Sequence, residues 1–475
     1  WDWRYYTQQV RAERYDLDPG QVTVTADFVG GGFGSKLNLS ADMFAAIELS
    51  RSSGRPVRCV LDRREELTAT GNRPGSSTDI AILVDDDGET RAMEVTADAH
   101  AGSAINGAYG MLMLLMYGRA PKAVTNADIL TNAPPGAPFR GPGGPTAAWA
   151  LESAVDQLAH QLGRDPLDLR LTMDGNEKRH ALYHWAKDLD VWTERGPVGA
   201  DTGRYRRGVG AAAGTWLYMV APATEVPGTG SKTLVANAVA SVFDVDPVEV
   251  DVPLGVATGE TPHGPTSGGS RASASLHPTA VEAAEALKEQ IGSRPTADHD
   301  GMAATAKRGG DRGIRAVPVT LPMGIQIGRG FSGALHVSEV EVDTLTGKVR
   351  VLSVHAGLAV GTIHAPDQAR NQIQGSIIQG IGQALYEQQV IDPHTGLTLS
   401  SNLEDYRIPQ LGDAPEITVH FHTEGWDHVP GGGVGLGEGG SVSPSSSVGN
   451  AVFHATGWRP THLPIRPDRV LEGLR

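Results

Sequence analysis

The sequence predicts an α+β fold in large mixed-sheet domains, and three observations carry that expectation. Two pairs of alternating strand segments are each joined by a glycine-containing turn. Long apolar-periodic runs, closed by glycine or opened by proline, read as helices. Strands and helices are mixed without the regular βαβ order of a doubly wound sheet.

The elements follow in order. VTVTADFV at 22–29 reads as strand-like, and ADMFAAIELSRSS at 41–53 as a helix closed by Gly54. PVRCVL at 56–61 has the β-branched, apolar character of a buried strand. Residues 78–84 and 89–99 flank Asp85-Asp86-Asp87-Gly88, whose glycine suits a hairpin turn. Residues 336–343 and 348–354 repeat that arrangement around Thr344-Leu345-Thr346-Gly347. Helices are expected at 146–162 closed by Gly163, at 233–243, at 278–290 and at 366–388. The last carries Gly375, Gly380 and Gly382, which cost helix propensity and suggest close packing or a ligand. Ser443-Pro444 reads as N-cap and first position of a helix over 445–456. The polar stretch 173–206 is where the main domain boundary is expected, and 292–318 reads as a long loop or linker.

Composition narrows the function. The 475 residues carry 55 acidic against 40 basic side chains, a net charge of −15, which argues against a nucleic-acid binder. A single cysteine, Cys59, excludes an internal disulfide framework and an iron–sulfur cluster held wholly by this chain. The most apolar short run, Met111 to Met116, is far below the roughly 20 residues of a membrane helix. The N-terminal residues lack a basic stretch followed by an apolar one, so the expected compartment is the cytoplasm, with the periplasm as the alternative.

Four glycine-rich loops could carry chemistry. Gly30-Gly31-Gly32-Phe33-Gly34-Ser35-Lys36 is either a cradle for a phosphate or cofactor or a plain tight turn. Gly228-Thr229-Gly230-Ser231-Lys232-Thr233 looks like a nucleotide phosphate loop, but Val226 and Ser231 break the Walker spacing. Ser267 to Ser275 offers hydroxyls and amides before a helix. Gly431 to Gly440 sets one carboxylate, Glu438, among glycines: either a general base whose pKa partial burial would raise, or a solvated surface acid. Arg140, just before the helix at 146, either orients an anionic or carbonyl-bearing ligand or makes a helix-adjacent salt bridge. The histidines form no compact zinc-ligand set.

In order along the chain, several segments resemble the molybdopterin-binding large subunit of the molybdenum hydroxylases, the xanthine dehydrogenase and aldehyde oxidoreductase family. They are GGGFGSK at 30–36, GRPVRCVLDRREELTATGNRP at 54–74, PFRGPGGPTAAWALESAVDQLA at 138–159, GTGSKT at 228–233 and SGGSRASAS at 267–275. QIQGSIIQGIGQAL at 372–385, NLEDYRIP at 402–409, and GVGLGEGG through NAVFHATGWRPTHLPI at 433–465 complete the set. The resemblance implies two elongated α+β molybdopterin-binding domains, at 21–190 and 200–475, after an atypical segment at 1–20. Residues 1–18 resemble a segment of oligopeptidases, and no metallopeptidase motif accompanies them. By the family pattern the chain is N-terminally incomplete, with little sequence ahead of GGGFG.

The resemblance also implies roles. Gly31, Gly32, Phe33 and Gly34 approach the metal and its dithiolene, which holds molybdenum without a protein ligand. Gly228, Thr229 and Gly230, with Ser270, Ser273 and Ser275, hold the pterin and its tail, expected in the cytosine dinucleotide form. Gln372 and Gln379 donate to the pterin, and Gly437 adjoins it. Arg140 and Phe33 line the substrate pocket. Glu438 is the base that takes a proton from a metal-bound hydroxyl. The implied reaction hydroxylates an aldehyde or N-heteroaromatic carbon with water as oxygen source, electrons leaving through separate iron–sulfur and FAD subunits. A noncatalytic scaffold of the same fold is the alternative.

Overall fold

The computed structural model describes residues 14–25, 30–36, 39–103, 107, 109–117, 120–217, 231–252, 270, 272–292, 331–429 and 431–475. Two sheets organise them. Helix α1 (Ala41–Ser53) ends at Gly54 in the left-handed conformation, and α2 (Arg63–Ala69) opens with a capping box between Asp62 and Glu65. Strands β1 (Gly75–Val84) and β2 (Thr90–Gly102) form the expected hairpin, with β3 (Lys122–Leu130) parallel to β2. Asp85 closes the turn, its Oδ1 accepting from the amides of Asp87 and Glu89. Alternation along β2 buries Met93, Val95, Ala97 and Ala99.

Helix α3 (Gly144–Gln161) lays Leu151, Val155 and Ala159 on that face. Three short helices follow: α4 (Pro166–Met173), α5 (Glu177–Lys187) and α6 (Asp190–Thr193). The second sheet runs β4 (Tyr205–Leu217), β5 (Phe331–Asp343), β6 (Val349–Ala359) and β7 (Glu416–His422). The first three strands are antiparallel and β7 is parallel to β6. Ala211, Leu335 and Val337 of this sheet share the core of α3 and β2. Helices α7 (Ser231–Phe243) and α8 (Ala272–Ile291) pack on each other. On the second sheet's other face, α9 (Pro366–Leu385) contributes Ile373, Ile377 and Ile381, and α10 (Pro444–Thr456) contributes Val448, Ala451 and Val452. The chain closes with α11 (Pro467–Gly473). Among the described residues no helix is long and apolar enough to cross a membrane.

Several expectations give way. PVRCVL is not a strand: Val60 is 67% exposed, and the run has no ladder partner before the Asp62 cap starts α2. Residues 22–25 are not in a strand, and 26–29 lie outside the described residues. The polar stretch 173–206 contains α5 and α6, which bury Leu182, Tyr183, Ala186 and Trp192, a finding that leaves the domain boundary expected there neither supported nor overturned. Asn176 caps α5 by accepting from the amides of Lys178 and Arg179. Helix α8 begins six residues before Pro278, which lies inside it. The proline forfeits one helical bond, while buried Ala274 and Leu276 pack the preceding turn. The expected linker at 292–318 lies, after Gly292, outside the described residues. Ser443 precedes α10 as expected, but its side chain does not cap; it pairs with His336 Nδ1 at 2.9 Å.

Candidate active site

The Gly30 loop, the turn before α3, the face of α9 and the Gly431–Gly440 loop meet at one place. The centre of the meeting is the backbone of Phe139, Arg140 and Gly141. Arg140 N–H donates to the Phe33 carbonyl at 2.5 Å, which fixes the glycine loop. Gly34, at φ +103, passes so close that a Cβ there would lie 2.8 Å from the Pro138 carbonyl oxygen. Phe33 itself has φ +53 and leaves 45% of its surface exposed, its ring 5.6 Å from the Arg140 guanidinium and 6.2 Å from the Phe139 ring.

Arg140 is buried and works as a clamp. Its Nε donates to the Gly437 carbonyl at 2.6 Å, Nη1 to Gln379 Oε1 at 3.1 Å and Nη2 to the Gln372 carbonyl at 2.8 Å. Nη2 also lies 3.4 Å from Gln372 Oε1. Gln372 and Gln379 are seven residues apart on α9 and so share a helical face. Burial lowers the Arg140 pKa to about 10, opposed by the charge of Glu438. The salt-bridge reading of Arg140 is thereby replaced: its direct partners are two main-chain carbonyls and the side-chain amide oxygens of Gln372 and Gln379.

Glu438 is held on both oxygens. Oε2 accepts from Trp216 Nε1 at 2.9 Å and from Ser270 Oγ at 3.0 Å, and Oε1 accepts from the Gly141 amide at 3.3 Å. Glu438 N–H in turn donates to Ser270 Oγ at 3.0 Å. Gly435 permits this approach, since a Cβ there would lie 1.6 Å from the Ser270 carbonyl oxygen. Burial raises the Glu438 pKa above the ordinary carboxylate value, against the lowering effect of those three donors and of Arg140. The surface-acid reading of Glu438 does not hold.

Other expected site residues fall differently. Gly31 and Gly32 lie in the same loop, with Gly31 at φ +117, and Gly437 reaches the site through its carbonyl. Gly228, Thr229 and Gly230 lie outside the described residues. The helix they precede is tied to α9 by Gln368 Nε2, which donates to Thr233 Oγ1 at 3.5 Å. Ser273 is on the first turn of α8, and among the described residues it makes no hydrogen bond to this group; the Ser275 side chain is outside them. Sequence reasoning missed Trp216, at the end of small-residue strand β4, and Ser441, whose Oγ donates to the Arg140 carbonyl at 3.0 Å. It also passed over Arg73, whose Nη2 donates to the carbonyls of Phe139 and Arg140. Only its place in the stretch 54–74 marked it.

The donor set suits a neutral polar heterocycle. Arg140 engages the Oε1 atoms of Gln372 and Gln379, and among the described residues their Nε2 groups have no partner, so amide donors remain on one face of α9. Between them Gly375 leaves space: a Cβ there would meet nothing nearer than Arg140 Nη1 at 3.9 Å. No group of three or more His, Cys, Asp or Glu side chains gathers as metal ligands among the described residues.

Fold and site together define a cofactor-binding α+β subunit built on glycine loops. The molybdopterin cofactor-binding domain matches residues 2–173, and a second molybdopterin cofactor-binding domain matches residues 324–415. The first match takes in the segment that resembles oligopeptidases. The chain belongs to the molybdenum hydroxylases, as a molybdopterin-binding large subunit. It is 27% identical to the xanthine dehydrogenase molybdenum-binding subunit of Escherichia coli O157:H7, covering 98% of this chain and 71% of that one. It is 27% identical to the aldehyde oxidoreductase molybdenum-binding subunit PaoC of the same organism, covering 95% and 68%. The solved aldehyde oxidoreductase of Desulfovibrio gigas shares the fold at a TM-score of 0.80 and 22% identity, over 98% of this chain and 56% of that one. The chain therefore spans little more than half the length of that structural relative.

Proposed function

We propose that this chain is the catalytic subunit of a molybdenum-dependent hydroxylase that converts an aldehyde or N-heteroaromatic C–H to C–OH with water as oxygen source. The observation that carries the proposal is the Glu438 carboxylate, held by Trp216, Ser270 and Gly141 with a raised pKa. A carboxylate poised nearer to neutral pH is a better general base than a solvated one. The molybdenum cofactor, when bound, supplies the two-electron oxidation. Glu438 accepts the proton of the attacking oxygen, and Trp216 and Ser270 aim the accepting oxygen. Phe33 offers a partly exposed aromatic face to a flat substrate. Gln372 and Gln379 would hold the pterin through Nε2, with Gly31 to Gly34 bringing main-chain amides to the dithiolene end.

The cytosine dinucleotide form of the tail, held by Gly228 to Gly230 and the Ser270–Ser275 segment, belongs to the same proposal. So does the transfer of the two electrons to iron–sulfur and FAD subunits, a reading the single cysteine supports because these residues cannot hold a cluster by themselves. The division into units at 21–190 and 200–475 is likewise proposed, with α3 joining their cores. The scaffold alternative is not favoured, because Glu438, unlike the ion-paired Glu152, has no cation among its hydrogen-bond partners in the described residues and keeps a raised pKa, which suits a proton acceptor. The test is incubation of the purified complex with a panel of aldehydes and N-heterocycles in ¹⁸O-water. The proposal expects ¹⁸O in the product, and oxygen taken only from O₂ would contradict it.

A further inference from the structure

We propose that Arg73 is a positioning residue for the Glu438 site, holding the Phe139–Arg140 peptide where Arg140 can reach Gly437. Backbone pairing puts it there: Asn72 N–H donates to the Pro135 carbonyl at 3.1 Å and Ala137 N–H to the Asn72 carbonyl at 2.8 Å. Arg73 Nη2 then donates to the carbonyl of Phe139 at 3.0 Å and that of Arg140 at 3.2 Å. Its guanidinium carbon lies 5.2 Å from the centre of the Phe139 ring. A planar guanidinium that lies over the Phe139 ring while one of its nitrogens bonds two successive carbonyls fixes a peptide more firmly than a flexible ammonium.

The same turn meets the site at three points. Its N–H side holds Phe33, its Arg140 side chain holds Gly437, and the next amide, Gly141, donates to Glu438. Arg73 takes its own support from behind. Glu387, which accepts from Tyr406 Oη at 2.8 Å, lies within electrostatic reach of the guanidinium and opposes the burial that lowers its pKa to about 10. Arg73 Nη1 is buried without a hydrogen-bond partner among the described residues. A buried cation kept at such cost, with bonds only to the turn, is explained by the geometry of that turn.

The kinetic consequence rests on the functional reading of Glu438; the structural one does not. The full chain is treated with p-hydroxyphenylglyoxal, and modified arginines are mapped by mass spectrometry. In Arg73→Met, Arg140 should be modified at least about tenfold faster than in wild type, as expected for local opening. Buried Arg170 and Arg179 should stay protected, with Arg73→Lys between the two. In the same variant, with molybdenum content unchanged, the acidic limb of anaerobic reduction should move up by about half a pH unit or more, because Arg140 no longer stabilises the Glu438 carboxylate. Wild-type protection of Arg140, or equal exposure of Arg140, Arg170 and Arg179, overturns the proposal. Where Met alone prevents folding, R73M/E387Q, which leaves no orphaned charge, is read by the same criterion. A wild-type complex that no substrate reduces sinks the hydroxylase reading, while the labelling still decides the role of Arg73.

Discussion

One hydroxyl oxygen, Ser270 Oγ, stands 3.0 Å from both the main-chain nitrogen and Oε2 of Glu438. It ties the carboxylate to its own backbone and favours the charged form. Ser270→Ala should lift the Glu438 pKa further and move the acidic limb of the rate–pH profile up by about one unit. A hydrogen bond to a charged group is worth about 1.5–3 kcal/mol, and one unit corresponds to about 1.4 kcal/mol. Anaerobic single-turnover reduction measured across pH reads the limb directly, and an unmoved limb contradicts the assignment.

The close pass of Gly435 and Ser270 has a steric test. A methyl group at 435 cannot fit 1.6 Å from the Ser270 carbonyl oxygen, so one segment must move. Gly435→Ala should cost about 1–3 kcal/mol of stability, as overpacking typically does. Gly412→Ala, where a Cβ meets nothing within 4 Å, serves as control. Chemical denaturation midpoints compare the two; equal midpoints would show that the loops are not in contact.

Sequence alone went far for the regular elements and for the glycine loops. The hairpins at Gly88 and Gly347 and the helices at 41–53 and 146–162 announced themselves through local signals: alternation, turn glycines and closing glycines. The elements misread were those decided by tertiary context. PVRCVL has strand-like residues but finds no ladder partner, and α5 looks polar because its buried face is only Arg179, Leu182, Tyr183 and Ala186. The site shows the same division. Glu438 and Arg140 stood out within glycine-rich runs, but what Arg140 grips is on another helix more than 230 residues away. Trp216, Ser441 and Arg73 gave no local signal that distinguishes a site residue from a core residue.

His277 and His364 stack with ring centres 3.6 Å apart, and burial, with the charge of His364 second, lowers the His277 pKa to about 4. The folded state therefore keeps His277 neutral where an unfolded chain, with a pKa of about 6.5, takes up a proton. This contribution is complete above pH 6.5 and is lost as pH falls to about 4. His277→Phe retains a flat ring without a proton site. Its thermal midpoint should fall less than that of wild type between pH 6.5 and 4, and parallel profiles would remove the pair from the account of acid sensitivity.

Gly375 tests the face of α9. The open space beside it lies between Gln372 and Gln379, so Gly375→Leu should fill the place proposed for the pterin without disturbing the buried face of the helix. Molybdenum per chain, measured by elemental analysis, should fall severalfold while the far-ultraviolet circular dichroism is unchanged. Full molybdenum loading in a folded Leu variant would move the cofactor away from this face.

Glu438→Gln is the most direct test of the whole account, because glutamine keeps the size of the side chain and removes its ability to accept a proton. The measurement is stopped-flow bleaching of the complex by an oxidisable substrate under anaerobic conditions, with molybdenum content determined on the same sample. The account predicts equal molybdenum loading and a limiting rate of reduction lower by about 10²–10⁴, the usual effect of removing a general base. A variant with equal loading that is reduced as fast as wild type would contradict it.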